Sequence, residues 1–63
     1  MALGARIRQA RKLRGLNQRE LAAEIDLSKT TVWNYEQENT LPDSAKLMEI
    51  AEALDIDLSY FLR

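Results

Sequence analysis

The chain contains no cysteine and no histidine. The first absence excludes disulfides. Together they leave only carboxylates as metal ligands, which suit hard cations rather than a structural zinc, so no metal or other cofactor is expected. No nucleophile–base pair is apparent and no Gly-rich phosphate loop is present. With 63 residues there is little room for a substrate pocket. The expected class is therefore not an enzyme, and no small-molecule ligand is evident. No stretch approaches the roughly 20 apolar residues of a membrane span, and no apolar signal-peptide run follows Met1. The expectation is a soluble, cytoplasmic protein without a membrane partner. Proline occurs once and glycine twice, so no linker or low-complexity segment divides the chain, and residues 1–63 read as a single domain. A chain this short buries only about 60% of the surface its unfolded form exposes. Lacking covalent or metal staples, it must rely on well-formed, closely packed helices or on a partner.

The balance of charge is also informative. Nine bases against ten acids give a net −1, which alone argues against a nucleic-acid partner. The distribution says something different. Residues 1–19 hold Arg6, Arg8, Arg11, Lys12, Arg14 and Arg19 and no acid; residues 20–63 hold three bases and all ten acids. A chain polarised in this way can present a basic face despite its balanced total, although a solvated basic face on the first helix gives the same pattern.

One local pattern recurs four times: an apolar or Pro residue, a capping residue, and another apolar residue four positions after the cap. The instances are Leu16-Asn17 with Leu21, Leu27-Ser28 with Val32, Pro42-Asp43 with Leu47, and Ile56-Asp57 with Phe61. A cap side chain satisfies unpaired N–H groups of a first turn, and the flanking apolar residues pack together. Glu20 lies three residues after Asn17 and completes a capping box. Helical periodicity agrees: Leu3, Ile7 and Ala10 mark a first helix that Gly15 can end, and Leu47, Ile50, Ala51 and Leu54 follow i, i+3, i+4, i+7. No segment shows sustained alternation. The predicted fold is all-α, with helices at about 3–14, 18–25, 29–37, 44–54 and 58–62.

Only Asp26, Leu27 and Ser28 separate the second helix from the third, a link short enough to force a sharp helix–turn–helix crossing. On a helical wheel at about 100° per residue, Val32, Tyr35 and Glu36 share the inner face of the third helix. Thr30, Asn34 and Gln37 share the outer face, with Lys29 and Trp33 on the rim. Hydroxyl and amide groups on one face can read base edges in a major groove: Asn and Gln pair with adenine N6/N7, and Thr can bond or touch a thymine methyl. The same residues also occur on ordinary helix surfaces. Trp33 is equally open: it can line a groove wall, meet a thymine methyl, contact a protein or half-cover the core. At the start of the second helix, Asn17, Gln18 and Arg19 lie where N–H groups and a cation can meet DNA phosphates. Ser28 reads as a cap whose backbone can do the same. Arg11 and Glu36 both fall at the core edge and read as a structural ion pair between the first and third helices.

These segments resemble the Cro-type, lambda-repressor-like helix-turn-helix family of phage and bacterial regulators. The resemblance rests on Ile7 to Arg11, Gly15 to Ala22, Ser28 to Glu36, Leu41-Pro42 and Leu47 to Leu54, and so covers nearly the whole chain. It implies a compact five-helix domain that binds double-stranded operators, usually as a two-fold homodimer. It implies that Gln18 contacts phosphate, that Lys29, Thr30 and Asn34 face bases, and that Arg11 bridges Glu36. It further implies that the last helix, with Leu58, Tyr60 and Phe61, contributes to a dimer contact. Three departures stand out. Members of the family commonly carry Gly where this chain has Asp26, Glu38 and Asp55. Asp tolerates the left-handed conformation better than most residues. Glu38 fits it poorly, so the third helix is expected to run on or to end differently. Glu38 also places a carboxylate on the edge that approaches DNA, and Asn39-Thr40-Leu41 supplies no cation there.

Two functional classes follow. The first is a sequence-specific DNA-binding domain of a transcriptional regulator, of repressor type. The second is a protein-interaction module on the same fold, antitoxin-like or coactivator-like, with weak or lost DNA binding. The repeated capping pattern also fits an engineered version of the fold.

Overall fold

A computed structural model describes residues 2–63. Five helices follow in order: α1 (Leu3–Leu13), α2 (Gln18–Glu24), α3 (Lys29–Glu36), α4 (Ser44–Ala53) and α5 (Ser59–Leu62). Among the described residues there is no strand. The boundaries differ from the sequence expectation by one residue. Arg14, Ile25, Gln37 and Leu54 are C-cap residues rather than part of the last turn. Leu58 precedes α5 instead of opening it.

The helix starts follow from their caps. Asn17 Oδ1 accepts from the Glu20 N–H, and Glu20 Oε1 accepts from the Asn17 N–H, each at 2.8 Å. Ser28 Oγ accepts from the Thr31 N–H at 3.2 Å, and Asp43 Oδ1 from the Lys46 N–H at 2.8 Å. The carboxylate of Asp57 takes the Ser59 N–H at 2.9 Å and so caps α5 from one residue further out. Leu16, Leu27 and Ile56, each just before a cap, pack against the core.

The first four helices also end alike. In each, the residue after the C-cap is left-handed: Gly15 (φ 72°), Asp26 (56°), Glu38 (62°) and Asp55 (54°). The next N–H then returns to a carbonyl five residues back. These bonds are Leu16 to Arg11 (3.2 Å), Leu27 to Ala22 (2.9 Å), Asn39 to Asn34 (3.0 Å) and Ile56 to Ala51 (3.0 Å). This is the Schellman arrangement, which satisfies carbonyls that a helix end leaves unpaired. Glu38 therefore does not extend or alter the end of α3. It adopts the conformation that glycine would take, because the Asn39–Asn34 hydrogen bond and the packing of α3 require it. An L-residue held there costs about 1–2 kcal/mol.

The core is drawn from all five helices. Ile7, Leu21, Val32, Ile50 and Leu54 are fully buried, and Phe61 closes the cluster from α5. Helix α3 packs against α2 and α1, α4 against α2, and α5 against α1. The α1–α3 contact depends on Gly4. A Cβ at that position would lie 2.6 Å from the backbone carbonyl oxygens of Tyr35 and Glu36. Arg14 of α1 secures the opposite end of the core. Its Nε donates to Leu54 O at 2.6 Å, and its Nη2 meets Asp55 Oδ2 at 2.6 Å, holding the C-terminal end of α4.

Candidate nucleic-acid interface

The start of α2 and the exposed side of α3 lie together, linked by one buried ion pair. Arg11 and Glu36 are each only 7% exposed. Arg11 Nε meets Glu36 Oε2 at 2.7 Å and Nη2 meets Oε1 at 3.0 Å, a two-pronged bridge. The remaining guanidinium nitrogen, Nη1, donates to Leu16 O at 2.9 Å, in the turn leading into α2. Gln18 Nε2 adds a third donor to Glu36 Oε1 at 3.0 Å. One carboxylate thus fixes α1, the first turn of α2 and the last turn of α3. Charge-assisted, two-pronged bonds of this kind are directional as well as strong. They hold α3 at a set angle to α2.

Outside this anchor, Lys29, Thr30 and Gln37 are exposed and Asn34 is half-buried. Asn34 Oδ1 accepts from Asn39 Nδ2 at 3.1 Å, so its own amide group is steadied from the loop beyond α3. Asn39 escaped sequence reasoning. Only the left-handed turn at Glu38 folds Asn39 back over the helix. Asn17 and Ser28 are exposed, but their side-chain oxygens serve as caps. Ser28 Oγ also lies 3.0 Å from Thr31 Oγ1. What Asn17 and Ser28 offer outward is backbone and the rest of the side chain. Gln18 is half-buried, and one N–H of its amide is already engaged.

Two adjoining grooves run along this surface and share Gln18 and Lys29. The first is completed by Thr30 and Trp33, the second by Arg11, Asn17 and Arg19. The surface therefore carries a row of neutral hydrogen-bonding groups beside a cationic border.

The basic N-terminal segment is not one continuous free patch. Arg11 and Arg14 are committed to Glu36 and Asp55. The Arg6 guanidinium lies 5.2 Å from the Tyr60 ring centroid. Arg8, Lys12, Arg19 and Lys29 are exposed and form no salt bridge among the described residues. Many of the acids are likewise structural. Glu20, Asp43 and Asp57 cap helices, Glu36 and Asp55 bind arginines, and Glu49 pairs with Lys46 at 3.0 Å. Glu24, Glu49 and Glu52 line a groove with Ile25 and Ala53 at the other end of α2.

The residues expected at a dimer contact are not equivalent. Phe61 is only 5% exposed and belongs to the core, so it is not available to a partner. Its place in the apolar spacing after Asp57 packs it inward. Tyr60 is half-buried, donates its hydroxyl to Gln9 Oε1 at 2.8 Å and stacks near Arg6 and Arg63. Leu58 packs against the core edge. The exposed apolar side chain of α5 is Leu62, at 69%. Among the described residues no helix is long and apolar enough to cross a membrane.

Comparison with known proteins places this geometry. A family model described as Helix-turn-helix matches residues 7–61. The chain is 29% identical over 62 residues to the HTH-type transcriptional regulator ImmR of Bacillus subtilis, covering 98% of this chain and 49% of that protein. It spans about half the length of the curated relatives it matches. The restriction-modification controller protein C.AhdI of Aeromonas hydrophila superposes with a TM-score of 0.89 at 29% identity, over 94% of this chain and 86% of that one. The P22 c2 repressor, solved in complex with a synthetic operator, superposes with a TM-score of 0.89 at 26% identity, over 97% and 92% of the two chains. With its five helices, its α2–α3 crossing and these relatives, the chain belongs to the helix-turn-helix family in its lambda-repressor-like form.

Proposed function

We propose that this chain is the sequence-specific DNA-binding domain of a transcriptional regulator of repressor type, and that α3 enters the major groove of double-stranded DNA. The observation that carries this reading is the row of exposed hydroxyl, amide and ammonium groups on an α3 held at a fixed angle by the Arg11–Glu36–Gln18 cluster. In this reading Lys29, Thr30, Asn34 and Gln37 meet base edges, with Asn34 oriented by Asn39. Asn17, Gln18 and Arg19, along the adjoining groove, and Ser28 at the start of α3 meet the phosphate backbone. The domain binds as a homodimer on a two-fold operator. The dimer contact centres on Leu62, with Leu58 and Tyr60 beside it. That the P22 c2 repressor was solved with an operator supports DNA as the ligand.

A second reading, a protein-interaction module, is favoured by the exposed carboxylate of Glu38 at the end of α3 and by the absence of any cation in residues 39–41. Selection from a random double-stranded DNA pool at low and near-physiological salt separates the two. DNA readout predicts a two-fold site with half-sites about one helical turn apart. Negligible binding even at low salt overturns it in favour of the second reading.

A further inference from the structure

The side chain of Trp33 is left over once the core and the hydrogen-bonding row of α3 are accounted for. It is 45% exposed, although Val32 beside it is 1% exposed and already fills the core from the same turn. Its groove is shared with Gln18, Lys29 and Thr30, none of which offers it an apolar partner. Around the axis of α3, Trp33 falls between two rows. On one side are Lys29 and Glu36, the latter tying Gln18 and the phosphate-facing start of α2. On the other are Thr30 and Gln37, the outermost groups.

A side chain between the phosphate row and the base row meets the outer edge of a base pair. The apolar group at that edge is the C5-methyl of thymine, which cytosine lacks and which lies toward its own strand's backbone. An indole has no way to read a donor–acceptor pattern there with its face, but it can remove a methyl from water. Building on the DNA-binding reading above, we propose that Trp33 is a specificity-determining residue: its indole packs on a thymine C5-methyl and selects T over C at one position of each half-site. The neighbouring hydrogen-bonding residues cannot make this choice by apolar contact over so large an area.

The test uses the selected site and duplexes in which each thymine is replaced in turn by deoxyuridine, which changes nothing but the methyl. Binding is followed by fluorescence anisotropy of labelled DNA, for the native chain and for Trp33→Ala. The native chain should lose about fourfold in affinity at one thymine per half-site, the worth of one buried methyl-sized group. Trp33→Ala should be indifferent to that replacement. For the native chain, changing that thymine to cytosine should weaken binding, and 5-methylcytosine in place of that cytosine should restore part of the loss. If no thymine shows methyl dependence, or if Trp33→Ala keeps it, the assignment of Trp33 is wrong while DNA readout by α3 stands. If the native chain selects no site, both fall. Circular dichroism of Trp33→Ala, expected to match the native chain, separates loss of contact from loss of fold.

Discussion

Replacing Glu38 by glycine should stabilise the protein. Glu38 occupies the left-handed residue that ends α3, with φ 62°. Its side chain makes no hydrogen bond or salt bridge among the described residues. Holding a residue with a Cβ in that conformation costs about 1–2 kcal/mol. Glycine removes that cost but gives up about 0.5–1 kcal/mol of backbone entropy. The expected net gain is about 0.5–1 kcal/mol, and at 4–8 °C per kcal/mol for a domain of this size the melting midpoint should rise by about 2–8 °C. Thermal melts followed by circular dichroism measure it. Glu38→Ala is the control: it removes the carboxylate, keeps the Cβ and should not gain. The reverse change, Gly15→Ala, should lose about 1 kcal/mol for conformational reasons alone, since its Cβ would meet nothing within 4 Å. Equal midpoints for Glu38→Gly and Glu38→Ala would refute the conformational argument, because they would tie the effect to charge.

Four further outcomes follow from the same structure. Gly4→Ala should cost about 1–3 kcal/mol, because its Cβ would press on two fixed backbone oxygens; a melt unchanged from the native chain would show that α1 can slide away from α3 freely. Glu36→Ala should cost about 3–5 kcal/mol by leaving Arg11 buried and unpaired, whereas Arg11→Met combined with Glu36→Leu should recover much of it; urea denaturation distinguishes the two, and equal losses would contradict the account. The Asp57 carboxyl is held below its usual value, chiefly by the Ser59 backbone N–H and next by the Ser59 side chain. Its contribution to α5 is therefore present above about pH 4 and lost as pH falls further, so the protection of amides in residues 59–62, taken relative to their intrinsic exchange rate at each pH, should fall in acid, and not in Asp57→Asn. Gln18→Ala should weaken binding equally on every DNA sequence, and a changed preferred site would overturn its backbone role.

The helix count and the helix starts were legible because each start is written locally, in a cap and two flanking apolar residues. The ends were less so. Asp26 and Asp55 could be read as left-handed residues, but Glu38 could not, since its conformation is imposed by the Asn39–Asn34 hydrogen bond and by packing rather than by its own preference. Gly4 carries no signal in the sequence beyond being a glycine in a helix, because its role lies in a backbone from 32 residues further on. At the site, the outward row of α3 followed from the wheel. The engagement of Gln18 with Glu36 and the pairing of Asn34 with Asn39 are tertiary facts with no local trace, whereas the burial of Phe61 follows from the apolar spacing around Asp57. The charge asymmetry overstates the free charge of the N-terminal segment: Arg11 and Arg14 are taken up by Glu36 and Asp55, while Arg8, Lys12 and Arg19 stay exposed.

The central proposal is that side chains of α3, chiefly those on its outer face, read base edges while the groups at the start of α2 only position the domain. It is tested most directly by comparing the native chain with the triple variant Thr30→Ala, Asn34→Ala, Gln37→Ala on the selected site and on a scrambled duplex across a salt titration. The native chain should prefer its site by about 1,000-fold or more. The variant should keep only the small preference that Lys29 and Trp33 supply, with a salt slope unchanged from the native chain on scrambled DNA, because the phosphate contacts remain. A triple variant that keeps the native preference would place the reading of sequence elsewhere on the molecule and contradict the account.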